Sequence, residues 1–486
     1  MKTIHPIVLV GIILVLGIIL FSTSCRKEAF TTDMGDSIKL TTDTLAFDTV
    51  FTTVGSTTEF FKIVNPNEKS IKTNVSLAGG QSSNFRINVD GIAGTDFADV
   101  TINPDDSLYV FVEVTVDPDD NTQPFILEDS ILFETNGNMQ KVLLTAYGQN
   151  AVFFNNIEIC DTTLTDNLPY VFYNIVYVPE GCELNMEEGV RIHMHRNARF
   201  LVEGTLNING KVDSMVTFQG DRLESYFDDR SAQWFAIELL RGSKANINFG
   251  HIKNGIYGFL MGSILTSEFS INDITAENAP LLSLNNSIIE NCLLSGISGF
   301  FSAAQGRNSL IHSCGENNLQ ASFGGFYNFV QCTFANYGTS SLSHRDPIIN
   351  ISNAIEVPID EMTIQVTTAP TDLYMGNCII YGLEDEEIAI APQLEGGDAL
   401  NFSFENCLVK TERNIDTLTF INCIKNPSTA DTLFVDRIEK DYRLHPLSPA
   451  IDLGMSNIDF PPLDLKEEIR PNGPNPDVGC YEFYEE

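Results

Sequence analysis

Positive charge is scarce in this chain. Its 486 residues carry 28 Lys and Arg against 65 Asp and Glu, a formal net charge of −37. A field of that sign argues against nucleic-acid binding and against a polybasic contact with anionic lipid. Tryptophan occurs once, and charged residues make up only 19% of the chain. Few segments have the Ala/Glu/Lys/Leu/Arg bias of long helices, so the chain reads as all-β. There is no Cys-x-x-Cys pair to build a structural zinc site. Gly-x-Ser-x-Gly is missing, as are a polygalacturonase-like paired-aspartate motif and a lyase-type lysine/arginine set. His344-Arg345-Asp346 has no glycine-rich loop or Asp-Phe-Gly beside it, which excludes a kinase. What is abundant is apolar and aromatic surface: 43% of residues are hydrophobic, with 33 Phe and 14 Tyr, enough to bury a core.

After Lys2 comes an aliphatic run, residues 7–21, too short to span a bilayer comfortably and suited to the h-region of a signal peptide. It ends in Phe21-Ser22-Thr23-Ser24-Cys25. Small residues directly before the first cysteine resemble a bacterial lipobox. The resemblance implies cleavage after residue 24 and acylation of Cys25, with two or three chains at about 0.8 kcal/mol per buried CH₂. Arg26 stands where Asp would signal inner-membrane retention, so the expected location is the outer membrane, behind a polar tether over 25–40.

Residues 41–150 follow a period of two. Leu108, Val110, Val112, Val114 and Val116 alternate with Tyr109, Phe111, Glu113 and Thr115, the pattern of a half-buried strand. Similar short runs cover 45–50, 60–64, 75–77, 85–89, 131–133 and 142–146. Asn136-Gly137 between the last two is a strong two-residue hairpin signal. About seven short strands predict an Ig-like β-sandwich.

From 151 the texture changes to very short strands with glycine-marked corners and no hairpin dipeptides. A polar residue followed by Cys recurs at Cys292, Cys314, Cys332, Cys378, Cys407 and Cys423, with spacings of 22, 18, 46, 29 and 16 residues. Most of these approximate one rung of a β-solenoid, with 46 read as two rungs. The motif cysteines are expected as buried, free ladder residues. Apart from Cys25 nine cysteines remain, an odd number.

Gln233-Trp234-Phe235-Ala236-Ile237, Asn248-Phe249-Gly250-His251-Ile252, Asn377-Cys378-Ile379-Ile380-Tyr381-Gly382 and Ser448-Pro449-Ala450-Ile451-Asp452-Leu453-Gly454 carry a resemblance. With the ending Pro476-Asp477-Val478-Gly479-Cys480-Tyr481-Glu482, they resemble the right-handed parallel β-helix (pectate-lyase-like) lipoproteins of Bacteroidetes-type bacteria. That implies a β-helix over 151–445, a closing segment over 446–486 and a place in the cell envelope. It implies no activity, because the fold serves several.

Two groups of residues stand out as candidate sites. Arg191, His193 and His195 alternate on one strand face, with Arg196 and Arg199 following. This is the densest basic strip in the chain and a candidate contact for an anionic sugar, since arginine recognises carboxylates and sulfates bidentately. Glu384-Asp385-Glu386-Glu387 is the candidate for Ca²⁺, weighed against a plain solvated loop. No other cofactor is called for.

The expectation is a lipid-anchored envelope protein whose β-helix binds polysaccharide or a partner without catalysis. The alternative is a polysaccharide lyase or glycoside hydrolase on the same fold.

Overall fold

The computed structural model describes residues 29–52, 55–117, 124–262, 278–358, 364–414, 416 and 418–485. The expected signal segment and Cys25 lie outside them. The protein is all-β, with 51% of residues in strands and 2% in helical turns. It forms two compact units, dividing between Gln149 and Asn150.

The first unit holds two five-stranded sheets. One contains Glu59–Val64, Ser107–Val114 and Phe85–Val89; the other contains Thr44–Phe51, Ile71–Leu77, Phe125–Thr135 and Asn138–Gln149. Phe61, Ile63, Val110, Val112 and Val114 from the first share one core with Phe47, Val75, Ile131, Phe133, Val142 and Leu144 from the second. Two sheets closed over one apolar layer make a sandwich. Asn136 and Gly137 take φ of 49° and 82°, and Thr135 pairs with Asn138 across the tight turn. The tether expected over 25–40 is partly sandwich instead. Thr31 pairs with Ser70 through the backbone, and Lys39–Leu40 adds an edge strand to Glu59–Val64.

The second unit is built on one 26-stranded parallel sheet, consistent with a β-helix. Each strand pairs with its counterpart one rung further along, so like positions stack. One column runs through Val216–Gly220, Gly250–Lys253, Ile288–Glu290, Leu310–His312, Thr333–Asn336, Ile379–Gly382, Leu408–Val409 and Ile424–Lys425. Alternate residues of the columns fill a continuous core from Ile159 to Phe420.

The register redraws the cysteine motif. Asn286, Asn308, Gln331, Asn377, Asn406 and Asn422 occupy one corner, all with φ between 48° and 55°. That left-handed conformation suits asparagine, whose short polar side chain tolerates it. Cys332, Cys378, Cys407 and Cys423 follow this corner, whereas Cys292 and Cys314 follow a different one, at Asn291 and Ser313. The 18-residue step therefore crosses between corners and is no rung. The 46-residue step is one rung, not two, because Thr333 pairs directly with Ile379. The extra length includes the hairpin Ala354–Pro358 with Ile364–Thr368.

The six motif cysteines are free, as expected, and Cys480 with them. Cys160 and Cys182 form a disulfide, which leaves seven of the nine cysteines free and the count still odd.

The solenoid's last paired strand is Ile424–Lys425, well before 445. The following segment folds back as a lateral cover. Leu433, Phe434, Tyr442, Leu444, Ala450, Leu465 and Val478 pack on Leu310, Ala335, Ile379 and Leu408, the outward side chains of four successive rungs. Corner amides fasten it: Arg470 Nη1 donates to Asn308 Oδ1 at 2.6 Å, and Asn377 exchanges two hydrogen bonds with the Met455 backbone.

Candidate functional site

The basic strip is assembled but largely neutralised. His193 lies on Arg191–Met194 and is only 4% exposed. Its Nδ1 is 3.3 Å from the Gly220 carbonyl. Burial pushes its pKa down to about 4, so it stays neutral where an exposed histidine would gain charge. His193 keeps the face opposite Ile192 and Met194, but it is covered there and is not the exposed, chargeable contact expected beside Arg191. His195 stacks on Tyr173 with ring centroids 4.3 Å apart, and its Nδ1 meets Asp221 Oδ2 at 2.6 Å. Arg199 directs its fork at the buried Glu238 of the next rung, with Nε 2.7 Å from Oε1 and Nη2 bonded to Oε2. Arg191 and Arg196 remain exposed, with Arg191 also donating to the Asp166 carbonyl.

The acidic run is also engaged. Glu387 is fully buried; it accepts from His344 Nε2 at 3.0 Å, from the Ile348 amide at 3.2 Å and from the Glu384 amide at 2.9 Å. Glu386 accepts from the Thr411 hydroxyl and the Ile388 amide. These two carboxylates hold loops together, while Asp385 points to solvent. Among the described residues no group of three or more metal-ligating side chains is arranged to hold an ion.

A third constellation has no signature in the sequence. Glu290 meets His251 Nε2 at 2.8 Å, His312 Nε2 at 3.5 Å and Lys440 Nζ at 3.6 Å, and Lys440 also reaches Asp229 at 2.5 Å. Burial alone would raise the Glu290 carboxyl. The hydrogen bond from His251, with His312 and Lys440 close by, instead holds it well below the usual carboxylate range. Lys440 belongs to the cover, so this cluster fastens it to the sheet.

The most exposed specific chemistry lies on the first unit. Phe60 pairs with Phe111, and Lys62 with Tyr109, on the outer face of their sheet. Phe60, Tyr109 and Phe111 are 54%, 40% and 37% exposed. Their centroids are 5.6–6.0 Å apart, and the Tyr109 and Phe111 planes differ by 15°. Lys62 Nζ sits 4.6 Å from the Tyr109 ring centre. The strand alternation fixes this face: Val110 and Val112 point to the core and leave the aromatics outward. That alternation is legible in the sequence; the partner Phe60 is supplied only by the pairing register.

The sequence matches no protein-family model and no curated protein. Among solved structures, a family 123 glycoside hydrolase from Clostridium perfringens is 12% identical over 23% of this chain and 25% of its own, with a TM-score of 0.16. The chain thus spans about a quarter of that enzyme. A PapD-like domain of human CEP192 is 8% identical over 26% of this chain and 94% of its own, also with a TM-score of 0.16. Likeness at that level carries no argument about fold or activity. No helix among the described residues is long and apolar enough to cross a membrane.

Proposed function

We propose that this chain is a lipid-anchored cell-envelope protein that binds glycan without cleaving it. In this reading acyl chains on Cys25 hold it in the outer membrane, the antiparallel unit is Ig-like, and the parallel unit is a right-handed β-helix. The observation that carries the binding role is the aromatic face of Phe60, Tyr109 and Phe111. Clustered exposed rings are unusual on a soluble surface. The electron-rich faces of such rings suit the weakly positive C–H groups of a sugar ring. Lys62 beside them adds a cationic contact that favours acidic sugars.

A glycan array probed with the chain from residue 26 onward tests this. The wild type retains ligands, and a Phe60→Ala, Tyr109→Ala, Phe111→Ala variant loses at least tenfold in affinity. An unchanged array profile for that variant overturns the reading. The lyase or hydrolase alternative centres best on Glu290, the carboxylate with two histidines and a lysine around it. Release of unsaturated uronate or new reducing ends, abolished by Glu290→Gln, would establish it.

A further inference from the structure

Thr333, Ile379, Leu408 and Ile424 are register partners in successive rungs, which sets Cys332, Cys378, Cys407 and Cys423 flush above one another. Their thiols share one bonding pattern. Cys378 donates to the Gly376 carbonyl at 3.2 Å and to Phe329 of the rung before at 3.5 Å. Cys407 donates to Glu405 at 3.4 Å and to Met375 at 3.3 Å, and Cys423 to Ile421 at 3.6 Å and to Phe404 at 3.4 Å. The sulfurs of Cys378, Cys407 and Cys423 therefore lean back towards the rung before, and Cys407 Sγ also accepts from the Cys378 amide at 3.4 Å. Cys332, Cys378 and Cys407 are buried; Cys423, at the end of the ladder, is partly exposed.

The same geometry already carries a disulfide elsewhere in this unit. Thr162 pairs with Leu184, so Cys160 and Cys182 are also flush in adjacent rungs, with Cα atoms 4.7 Å apart. That separation falls within the range a disulfide needs.

We propose that Cys407 and Cys423 form a second rung-to-rung disulfide, made by exchange with a small-molecule disulfide. The Cys423 thiolate attacks one sulfur of the reagent, giving a mixed disulfide and releasing one thiolate. Cys407 then attacks the Cys423 sulfur, forming the protein disulfide and releasing the second thiolate. Two protein thiols are oxidised and one reagent disulfide is reduced to two thiols, with the two protons passing to solvent and the released thiolates. Cys423, the one partly exposed residue of this ladder, is the one the reagent reaches. The hydrogen bond from Cys407 lowers its pKa against the opposing effect of burial, which favours the attacking thiolate. The product would clamp the last rung, where the stack has no further strand to hold it.

The test uses the folded full chain in detergent with oxidised glutathione. Samples are quenched in acid, unfolded, alkylated without reductant and weighed, then mapped as peptides. The wild type should lose two alkylatable thiols and yield one cross-linked peptide pair joining Cys407 to Cys423. Cys423→Ser should lose none, and Cys407→Ser should stop at a glutathione adduct on Cys423. No loss in the wild type, a bond from Cys378 to Cys407, or an undiminished loss in Cys423→Ser would each overturn the proposal.

Discussion

On the sandwich unit, three aromatic rings stand out from a sheet whose other side is a closed core. On the solenoid unit, outward polar side chains are tied to the neighbouring rung or to the cover: His195 to Asp221, Arg199 to Glu238, Glu290 to two histidines and Lys440. The difference follows from the two kinds of sheet. In the antiparallel sheet, Phe111 has Phe60 and Asn88 as its neighbours on the two flanking strands, neither of them charged, and its ring stays open to solvent. In a stacked rung, every outward position has a like position above and below it. A charge placed there is soon within reach of a counter-charge from the next rung. Charge density along the sequence is therefore a poor guide to free charge on a solenoid, while an aromatic at an outward position of the sandwich keeps its exposure.

Three experiments would break or sharpen that contrast. The largest effect is expected at the cover. Arg470 Nε and Glu482 Oε2 are 3.0 Å apart, and both side chains are buried. Arg470→Ala leaves the Glu482 carboxylate buried without its cation, which should cost about 3–5 kcal/mol. Urea unfolding of the second unit measures this, and a change below 1 kcal/mol would mean that the ion pair does not fasten the cover.

The second effect depends on pH. Burial pushes both His193 and His312 down to about 4. Unfolded histidines titrate near 6.5, so between about pH 6.5 and 4 the unfolded state binds protons that the folded state refuses. Stability should fall as pH drops through that window, on the order of 3 kcal/mol per histidine by pH 4. Asp477 has the opposite slope: burial pushes it up to about 7, so it favours the folded state as pH falls from 7 towards 4. The informative quantity is thus the difference between wild type and a His193→Gln, His312→Gln variant, whose curve should be flatter on the acid side. Parallel curves would show that neither histidine is held neutral.

The smallest stability effect belongs to the aromatic face. Single alanine substitutions at Phe60, Tyr109 or Phe111 should each shift unfolding by less than about 1 kcal/mol. Losses of 3 kcal/mol or more would show that the rings are core residues and not a platform.

Much of this architecture is legible in the sequence. The alternation of Val110, Val112 and Val114 with Tyr109 and Phe111 marks a strand and both its faces, and Asn136-Gly137 marks the turn beside it. Recurrent Asn-Cys pairs signal stacking. Their spacing misleads because two corners use the same dipeptide and one rung carries an inserted hairpin. The Cys160–Cys182 bond has the same 22-residue separation as Cys292 and Cys314, so spacing cannot tell an oxidised pair from a reduced one. His193 looks exposed because the period of two places it opposite Ile192 and Met194. Gly220 and Gln219 of the next rung close over it, and no local pattern reveals that. Glu290 finds His251, His312 and Lys440 through stacking and through the return of the cover, contacts that only the assembled chain creates.

The cover has one more consequence. Arg470 holds Asn308, the Cys480 amide holds Thr333, and Met455 and Gly479 hold Asn377. A single returning segment thus grips three consecutive turns of the coil at fixed intervals. Repeat proteins ordinarily gain and lose whole units freely, because each unit answers only to its neighbours. Here, duplicating or deleting a turn between Asn308 and Asn377 would shift one grip relative to the others by the height of a strand. The tail therefore works as a ruler, and copy number over this stretch is locked by the segment that measures it.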